Sequence, residues 1–480
     1  MNSPVEIART QFAVTTLFHM LWPLLSIGLS LMLVIMEALW LKTRDEIYYR
    51  HVRFWSVFFL LSFGIGVASG VPLEFQFGTN WSRYAAASGS LSGVLLAYEA
   101  ATSFALEAAF LAVFIFGWNR VSRRMHFFSG VMVAFGASLS AFWIMAANSW
   151  MQTPAGVRVE SGKIIVADFL RAFFNPDLPV AVTHMWVAAL ETTLFFVAGV
   201  SAWYILRKRH VELFLKTFKI VIVIGIVIAP IQILLGDRSG LTVIEHQPAK
   251  AAALEAHWFT NPPDTPAPWV VLAAPDADAQ RNRWQVSIPY ALSILSTHTL
   301  KGRVMGLRDF PVEDQPPVTA PFYAFRVMIL LGVLMLLLVV WAIWKWSKGM
   351  LELNAAPRYR TFWTLWLFAL PTGFIASDCG WIAREMGRQP WIVYGLLRTS
   401  DGISPVAPAA TATSLVLFSA LYLALLGFAV YFIRRIMLKG PDLESPIPAY
   451  GERSLRAGEA GGAPPTDPRD PGNPPRMERR

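Results

Sequence analysis

The sequence predicts an all-α polytopic membrane protein, about nine transmembrane helices in one bundle. Three observations carry that prediction. Of 480 residues, 55% are hydrophobic and only 15% charged, which is too apolar for a soluble domain of this length. Nine apolar runs are long enough, or nearly so, to cross a bilayer, and each is hydrophobic all round rather than along one stripe. Lys and Arg collect in alternate connectors, which is the signature of membrane topology.

The runs cover roughly 13–41, 54–77, 92–117, 127–149, 184–206, 218–236, 322–346, 361–380 and 412–434. Pro371 and Gly373 interrupt the eighth. Basic residues follow run one (Lys42, Arg44, Arg50, Arg53), run three (Arg120, Arg123, Arg124), run five (Arg207, Lys208, Arg209, Lys216, Lys219) and run seven (Lys345, Lys348, Arg358, Arg360). The positive-inside rule then puts the N-terminus outside and the C-terminus inside. The net charge of +9 reflects this clustering at run ends and is no nucleic-acid footprint. No cleavable leader pattern opens the chain, so the first run is expected to stay in place.

The chain divides into helices one to six (1–236), an external connector (237–321), helices seven to nine (322–435) and a disordered cytoplasmic tail (436–480). The connector mixes acidic, basic and Pro-rich stretches, and a loop of that length is usually functional or structured. The tail is rich in Pro, Gly and charge. The single cysteine, Cys379, excludes an internal disulfide, covalent C-x-x-C-H haem attachment and a Cys-ligated iron–sulfur cluster.

Polar residues within the apolar runs point to function, because such groups are costly at membrane depth. His19 and His184 lie inside runs one and five, whereas the other six histidines fall in the polar segments between runs. Met328 lies about two turns into run seven, Glu99 about two turns into run three, and Glu385 follows run eight. On the topology above, these groups share one level near the outer surface, within roughly 15 Å at 1.5 Å per residue. Taken singly, a buried histidine reads as an interhelical hydrogen bond and Met328 as core filler. Taken together, imidazole and thioether make the axial pair of a low-spin haem suited to electron transfer. Arg326 needs an anion, and a haem propionate would serve. Glu99 and Glu107 lie near one face of run three, about 12 Å apart along its axis; such carboxyls can carry protons, ligate iron or simply hydrogen-bond one another's surroundings. Glu191 stands on a face similar to that of His184, with no role that spacing assigns. Glu385 stands between Arg384 and Arg388 in a segment that also holds Trp381 and Trp391.

Several of these motifs, in this order, resemble subunit I of the cytochrome bd-type quinol oxidases over roughly residues 1–435. The carrying residues are Gly387-Arg388-Gln389-Pro390-Trp391 with upstream Gly380-Trp381 and Glu385, Phe325-Arg326-Val327-Met328, and Gly236-Asp237-Arg238-Ser239-Gly240. Beside them stand His19, His184 and the Glu99/Glu107 pair. The resemblance implies the haem-bearing subunit of a terminal oxidase in the bacterial inner membrane, taking electrons from quinol at the outer face and reducing O2 to water. It implies a low-spin haem b on His184 and Met328. It also implies two haems at the oxygen site, a high-spin haem b with haem d or a third haem b, held by His19, Glu99 and Glu385. Arg326, Trp381 and Arg388 would line the cofactors, Glu107 would pass protons, and Lys250 and Glu255 would serve quinol oxidation. Homologous subunit II is the implied partner, with a small single-span accessory subunit left open, and membrane lipid surrounds the assembly. The connector of about 85 residues resembles the short quinol-loop, cyanide-insensitive branch. Two other classes fit less well: a two-haem quinol dehydrogenase anchor needs more buried histidines, and an ion-coupled transporter would show inverted repeats.

Overall fold

The computed structural model describes residues 3–448. The helices that build the bundle and the site are α1 (Pro4–Thr43), α2 (Glu46–Thr79), α3 (Ser92–Phe116), α4 (Arg123–Gln152), α5 (Leu178–Leu206), α6 (Val211–His246), α7 (Pro248–Leu254), α8 (Thr319–Ser347), α9 (Arg360–Phe368), α10 (Thr372–Met386) and α11 (Pro408–Lys439). Among the described residues nine spans are long and apolar enough to cross a membrane, with α9 and α10 together making the eighth and α7 lying outside. The protein is a multi-pass helical bundle, as its composition demands.

Local chemistry sets the element ends. Arg44 adopts a left-handed conformation and closes α1, and the Asp45 carboxylate accepts the Ile47 amide to start α2. Ser122 caps α4 through the Met125 amide. The eighth run, read as one segment with an interruption, breaks at Pro371 into two helices, because proline cannot donate to the turn before it. The connector starts later than hydropathy indicates. Helix α6 carries on through Asp237 and Arg238 to His246, since helical backbone bonding continues through polar residues where no proline or glycine cap stops it.

Two sets of helices meet at α1 and α5, the most buried spans. In one set α1 packs on α2 and α4, and α3 packs on α4; in the other, α5 packs on α6, α9 and α10, and α8 on α6 and α10. Contacts of α5 with α1 and α4 join the sets. Glycines permit close crossings: a Cβ on Gly28 would lie 2.1 Å from Thr193 Oγ1, and one on Gly373 2.5 Å from the Thr192 Cα. At the end away from the 237–321 segment, Phe195, Phe218, Trp363 and Trp366 interleave as a fully buried aromatic core. Outside the spans, α7 and an antiparallel ladder, Trp269–Asp276 with Arg281–Ile288, give the connector its own core around Ala253, Trp258 and Phe322. Beyond α11, most of the tail segment lies outside the described residues.

Candidate functional site

A turn of π-helix, Glu99–Phe104, interrupts α3. Wider turns of this kind often mark functional positions, and here the turn swings Glu99 toward the face that Glu107 uses. Both carboxyls press on α4. Ser140 Oγ donates to Glu99 Oε1 at 2.7 Å. One turn earlier on α4, a Cβ on Gly136 would meet Glu107 Cγ at 2.8 Å. The glycine makes the room in which Glu107 lies.

His19 of α1 faces α2, its Nδ1 3.0 Å from Ser69 Oγ. The same hydroxyl stands 2.8 Å from the Ile65 carbonyl; the tautomer in which Nδ1 carries the proton toward Ser69 is the one that leaves the Nε2 lone pair for a metal.

His184 of α5 and Met328 of α8 both lie within the set formed by α5, α6, α8 and α10. A Cβ on Gly236 of α6 would come within 3.5 Å of the His184 ring, and one on Gly380 of α10 within 3.1 Å of Met328 Sδ. His184 Nδ1 is buried with no hydrogen-bond partner among the described residues, so this ring is not a structural interhelical tie through that atom.

Glu385, in the last turns of α10, is held on both oxygens. Asn148 Nδ2 (2.9 Å) and Gln152 Nε2 (3.1 Å) donate to Oε1, and Arg388 pairs with Oε2. Arg384 does not flank Glu385 as the linear order indicates. It turns to Asn148 Oδ1 (2.6 Å) and Asp177 (2.5 Å), because neighbours on a helix do not share a face. Trp381 lies one turn before Glu385, half-buried. Gln152 Oε1 in turn accepts from Lys250 Nζ at 2.9 Å and from Gln247 at 3.0 Å. Lys250 is 2% exposed, and burial, then the nearby Arg384, brings its amine down to about 7, with Glu385 and Asp177 opposing. Lys250, Gln152, Asp177 and Arg384 line a cavity of ≈ 10 Å³, room for about one water.

Glu255 and Arg326 form a buried ion pair at 2.5 Å. Burial raises the Glu255 carboxyl above its ordinary range against the pull of Arg326. Arg326 also donates to the Val270 carbonyl at 2.8 Å and lies over Trp269 and Phe322. The anion that Arg326 calls for is thus supplied in part by this chain.

Whether these residues suit haem can be tested on their unspent bonds. Arg388 Nε and Nη1 and Arg326 Nη1 are buried donors without partners among the described residues. Buried guanidinium donors aimed at nothing are expensive, and a propionate would satisfy them bidentately. Two imidazoles with a bare nitrogen, a thioether in a glycine-lined recess and these donors fit a haem.

The bridging amides Asn148 and Gln152, the Asp177 partner of Arg384, Ser140 and Gly136 escaped the sequence reading. Asn148 and Gln152 stand one turn apart at the end of an apolar run, and that spacing was the available signal. His51 and His126, placed between runs by hydropathy, are fully buried within α2 and α4, because both helices begin before their apolar stretches.

Comparison with known proteins gives the family. Residues 7–441 match the family described as cytochrome bd terminal oxidase subunit I. The chain is 35% identical to cytochrome bd ubiquinol oxidase subunit 1 of Bacillus subtilis, over 92% of this chain and 95% of that one. It is 33% identical to cytochrome bd-II ubiquinol oxidase subunit 1 of Escherichia coli, over 91% and 97%. It resembles the solved structure of bd oxidase from Geobacillus thermodenitrificans with a TM-score of 0.83, 29% identity, and coverage of 92% of this chain and all of that one. This chain belongs to the cytochrome bd terminal oxidase subunit I family, multi-pass proteins of the bacterial inner membrane.

Proposed function

We propose that this chain is the haem-bearing catalytic subunit of a terminal quinol oxidase, working with a homologous subunit II. In this reading the N-terminus and the 237–321 segment lie outside, and the segment is a quinol-oxidising loop of the short form. The observation that carries the reading is the set of unpartnered buried donors on Arg388, which pairs with Glu385, itself two hydrogen bonds from Lys250.

When bound, the haems supply one-electron transfer and the place where oxygen is reduced. His184 and Met328 would hold the low-spin haem b. His19, Glu99 and Glu385 would hold the oxygen-site pair, a high-spin haem b with haem d or a third haem b. Arg326 and Arg388 would neutralise propionates, and Trp381 would line the cofactor space. Lys250, neutral on the alkaline side of about 7, is placed to accept a proton from a quinol hydroxyl, and Glu255 to orient the headgroup. Glu107 and Glu99, linked across Gly136 and Ser140, hold and pass protons toward the oxygen site. Quinol protons leave on the outer side while consumed protons come from the inner side. A potential then arises from charge separation without pumping.

A reduced-minus-oxidised optical spectrum of the purified two-subunit complex, with and without carbon monoxide, tests this. Haem b bands with a CO-reactive component are expected, and a far-red chlorin band would identify haem d. His184→Leu and Met328→Leu should each remove the low-spin band. A complex without CO-reactive haem overturns the reading.

A further inference from the structure

The antiparallel ladder of the 237–321 segment, Trp269–Asp276 with Arg281–Ile288, is inside out for a strand pair standing in water. Leu272 and Val286 are partners across it, and Trp284 and Ile288 flank Val286 at the two-residue spacing of one strand face. All four side chains are about half exposed. Asn282 instead turns inward, accepting from the Trp258 indole at 2.8 Å and donating to the Ala256 carbonyl at 3.1 Å. A sheet with one solvated face ordinarily keeps its apolar residues on the core and its polar ones outside. We infer that the exposed face of this ladder rests in the headgroup layer of the membrane, as an interfacial anchor beside α8.

The occupant follows from where the ladder hangs. Tyr323, Val327 and Leu330 form an exposed stripe along α8, at the three- and four-residue spacing of one helix face. On a membrane-spanning helix such a stripe faces lipid. Tyr323 Oη donates to the Ala273 carbonyl at 2.6 Å, which fastens the ladder to the lipid side of α8 rather than over the middle of the bundle. On the buried side of the same helix, Arg326 Nε holds the Val270 carbonyl at 2.8 Å. Both donors lie within the first two turns of α8, where its apolar run enters the membrane. Leu272, next in the chain to the carbonyl that Tyr323 holds, extends the apolar surface from the helix onto the strands.

The chemistry of the ladder also limits its depth. Trp284 and the exposed Tyr290, just past the ladder, are residue types of the aromatic belt. Arg283, beside Trp284, pairs with Asp276 at 2.8 Å and gives the turn a charged tip. The sheet has two strands only, so the free edge of Arg281–Ile288 needs water or headgroups to satisfy its backbone. The strand therefore lies in the interface plane, with only its apolar side chains in the acyl boundary. Since Val270 holds Arg326 and Arg326 holds Glu255, lipid under the ladder also steadies that ion pair.

Spin labels placed singly test this in the two-subunit complex, in nanodiscs of phosphatidylethanolamine and phosphatidylglycerol. They are introduced through Leu272→Cys, Val286→Cys, Leu330→Cys and Asp278→Cys on a Cys379→Ser background, with no other reactive cysteine left in the complex. Power saturation compares collisions with oxygen, which concentrates in lipid, and with a water-soluble nickel chelate. Expected at positions 272 and 286 is an oxygen-to-nickel ratio close to that at 330 on α8 and several-fold above that at the exposed tip position 278. A ratio like that at 278 puts the face in water and overturns the inference. Protection from both reagents marks a protein surface, subunit II or a second copy of this chain, as the occupant and overturns it as well. A second measurement needs no variant to assemble: the wild-type complex is illuminated in nanodiscs doped with a phospholipid that carries a diazirine at headgroup level. Adducts on the peptide holding residues 284–288 are expected, and adducts confined to the spans overturn the inference.

Discussion

Gln152 and Glu385 are hydrogen-bonded across the α4–α10 contact, Nε2 to Oε1 at 3.1 Å, while the other end of the same amide accepts from Lys250. One neutral side chain thus ties the residue proposed to meet quinol to a carboxylate proposed to meet oxygen-site iron. An amide suits this place because its two ends, a few ångströms apart, accept from the amine and donate to the carboxylate at once. Gln152→Leu removes both bonds. Hydrogen bonds to charged groups contribute about 1.5–3 kcal/mol, so quinol oxidation should fall by roughly ten- to a hundredfold in kcat/KM. Gln152→Glu should keep the Lys250 bond and repel Glu385, shifting the optical bands of the oxygen site more than the quinol KM. Steady-state kinetics and difference spectra of both variants separate the two effects.

Lys250 predicts a pH dependence with a definite sign. Its amine titrates at about 7 rather than at 10.5, so it is an ammonium in mild acid and a neutral amine in mild alkali. Acting as a base toward quinol, it gives a kcat/KM that rises with pH and levels off above about 7. Lys250→Gln should abolish that limb and lower the plateau. The same shift affects stability: between about 7 and 10.5 the unfolded chain binds more protons than the folded one, so this residue's contribution becomes more favourable as pH rises.

Much of this site was legible in the chain because it is written in charge. His19, Glu99, Glu107 and Arg326 are conspicuous within apolar runs, and Glu385 just past one, as are Lys250 and Glu255 within a short alanine-rich stretch. What joins them was not legible. Asn148 and Gln152 carry no charge and stand where an apolar run fades, and their partners come from segments far away in sequence. Arg384 and Arg388 look equivalent beside Glu385, and only the helical twist sends one to Asp177 and the other to the carboxylate. The π-helical turn at Glu99 has no composition signal at all. His126 shows the reverse error, since a histidine among arginines reads as exposed until Trp118 and Glu37 close over it.

The Glu255–Arg326 pair should be cooperative. Removing one member of a buried ion pair strands the other, at a cost of about 3–5 kcal/mol. Glu255→Leu and Arg326→Leu should each lower the melting temperature of the complex and impair quinol oxidation. The double variant should recover much of the stability, because no charge is left stranded, without recovering activity. Thermal unfolding and quinol turnover of the three variants form a double-mutant cycle, and additive stability losses would count against the pairing.

Gly136 offers a test of Glu107 that leaves the carboxyl in place. A methyl group there would lie 2.8 Å from Glu107 Cγ and 3.3 Å from the Ser103 carbonyl. Since the carbonyl belongs to helix backbone, the flexible glutamate is the one that must move. Gly136→Ala should therefore displace the Glu107 carboxyl from α4 while preserving haem content, slowing oxygen reduction in the same direction as Glu107→Leu but less severely. Gly427→Ala in α11, where nothing stands within 4 Å of the added Cβ, serves as the control and should leave turnover unaltered. Oxygen consumption measured against haem content for these variants makes the comparison. Equal turnover in Gly136→Ala and wild type would mean that the position of the Glu107 carboxyl against α4 does not limit proton delivery.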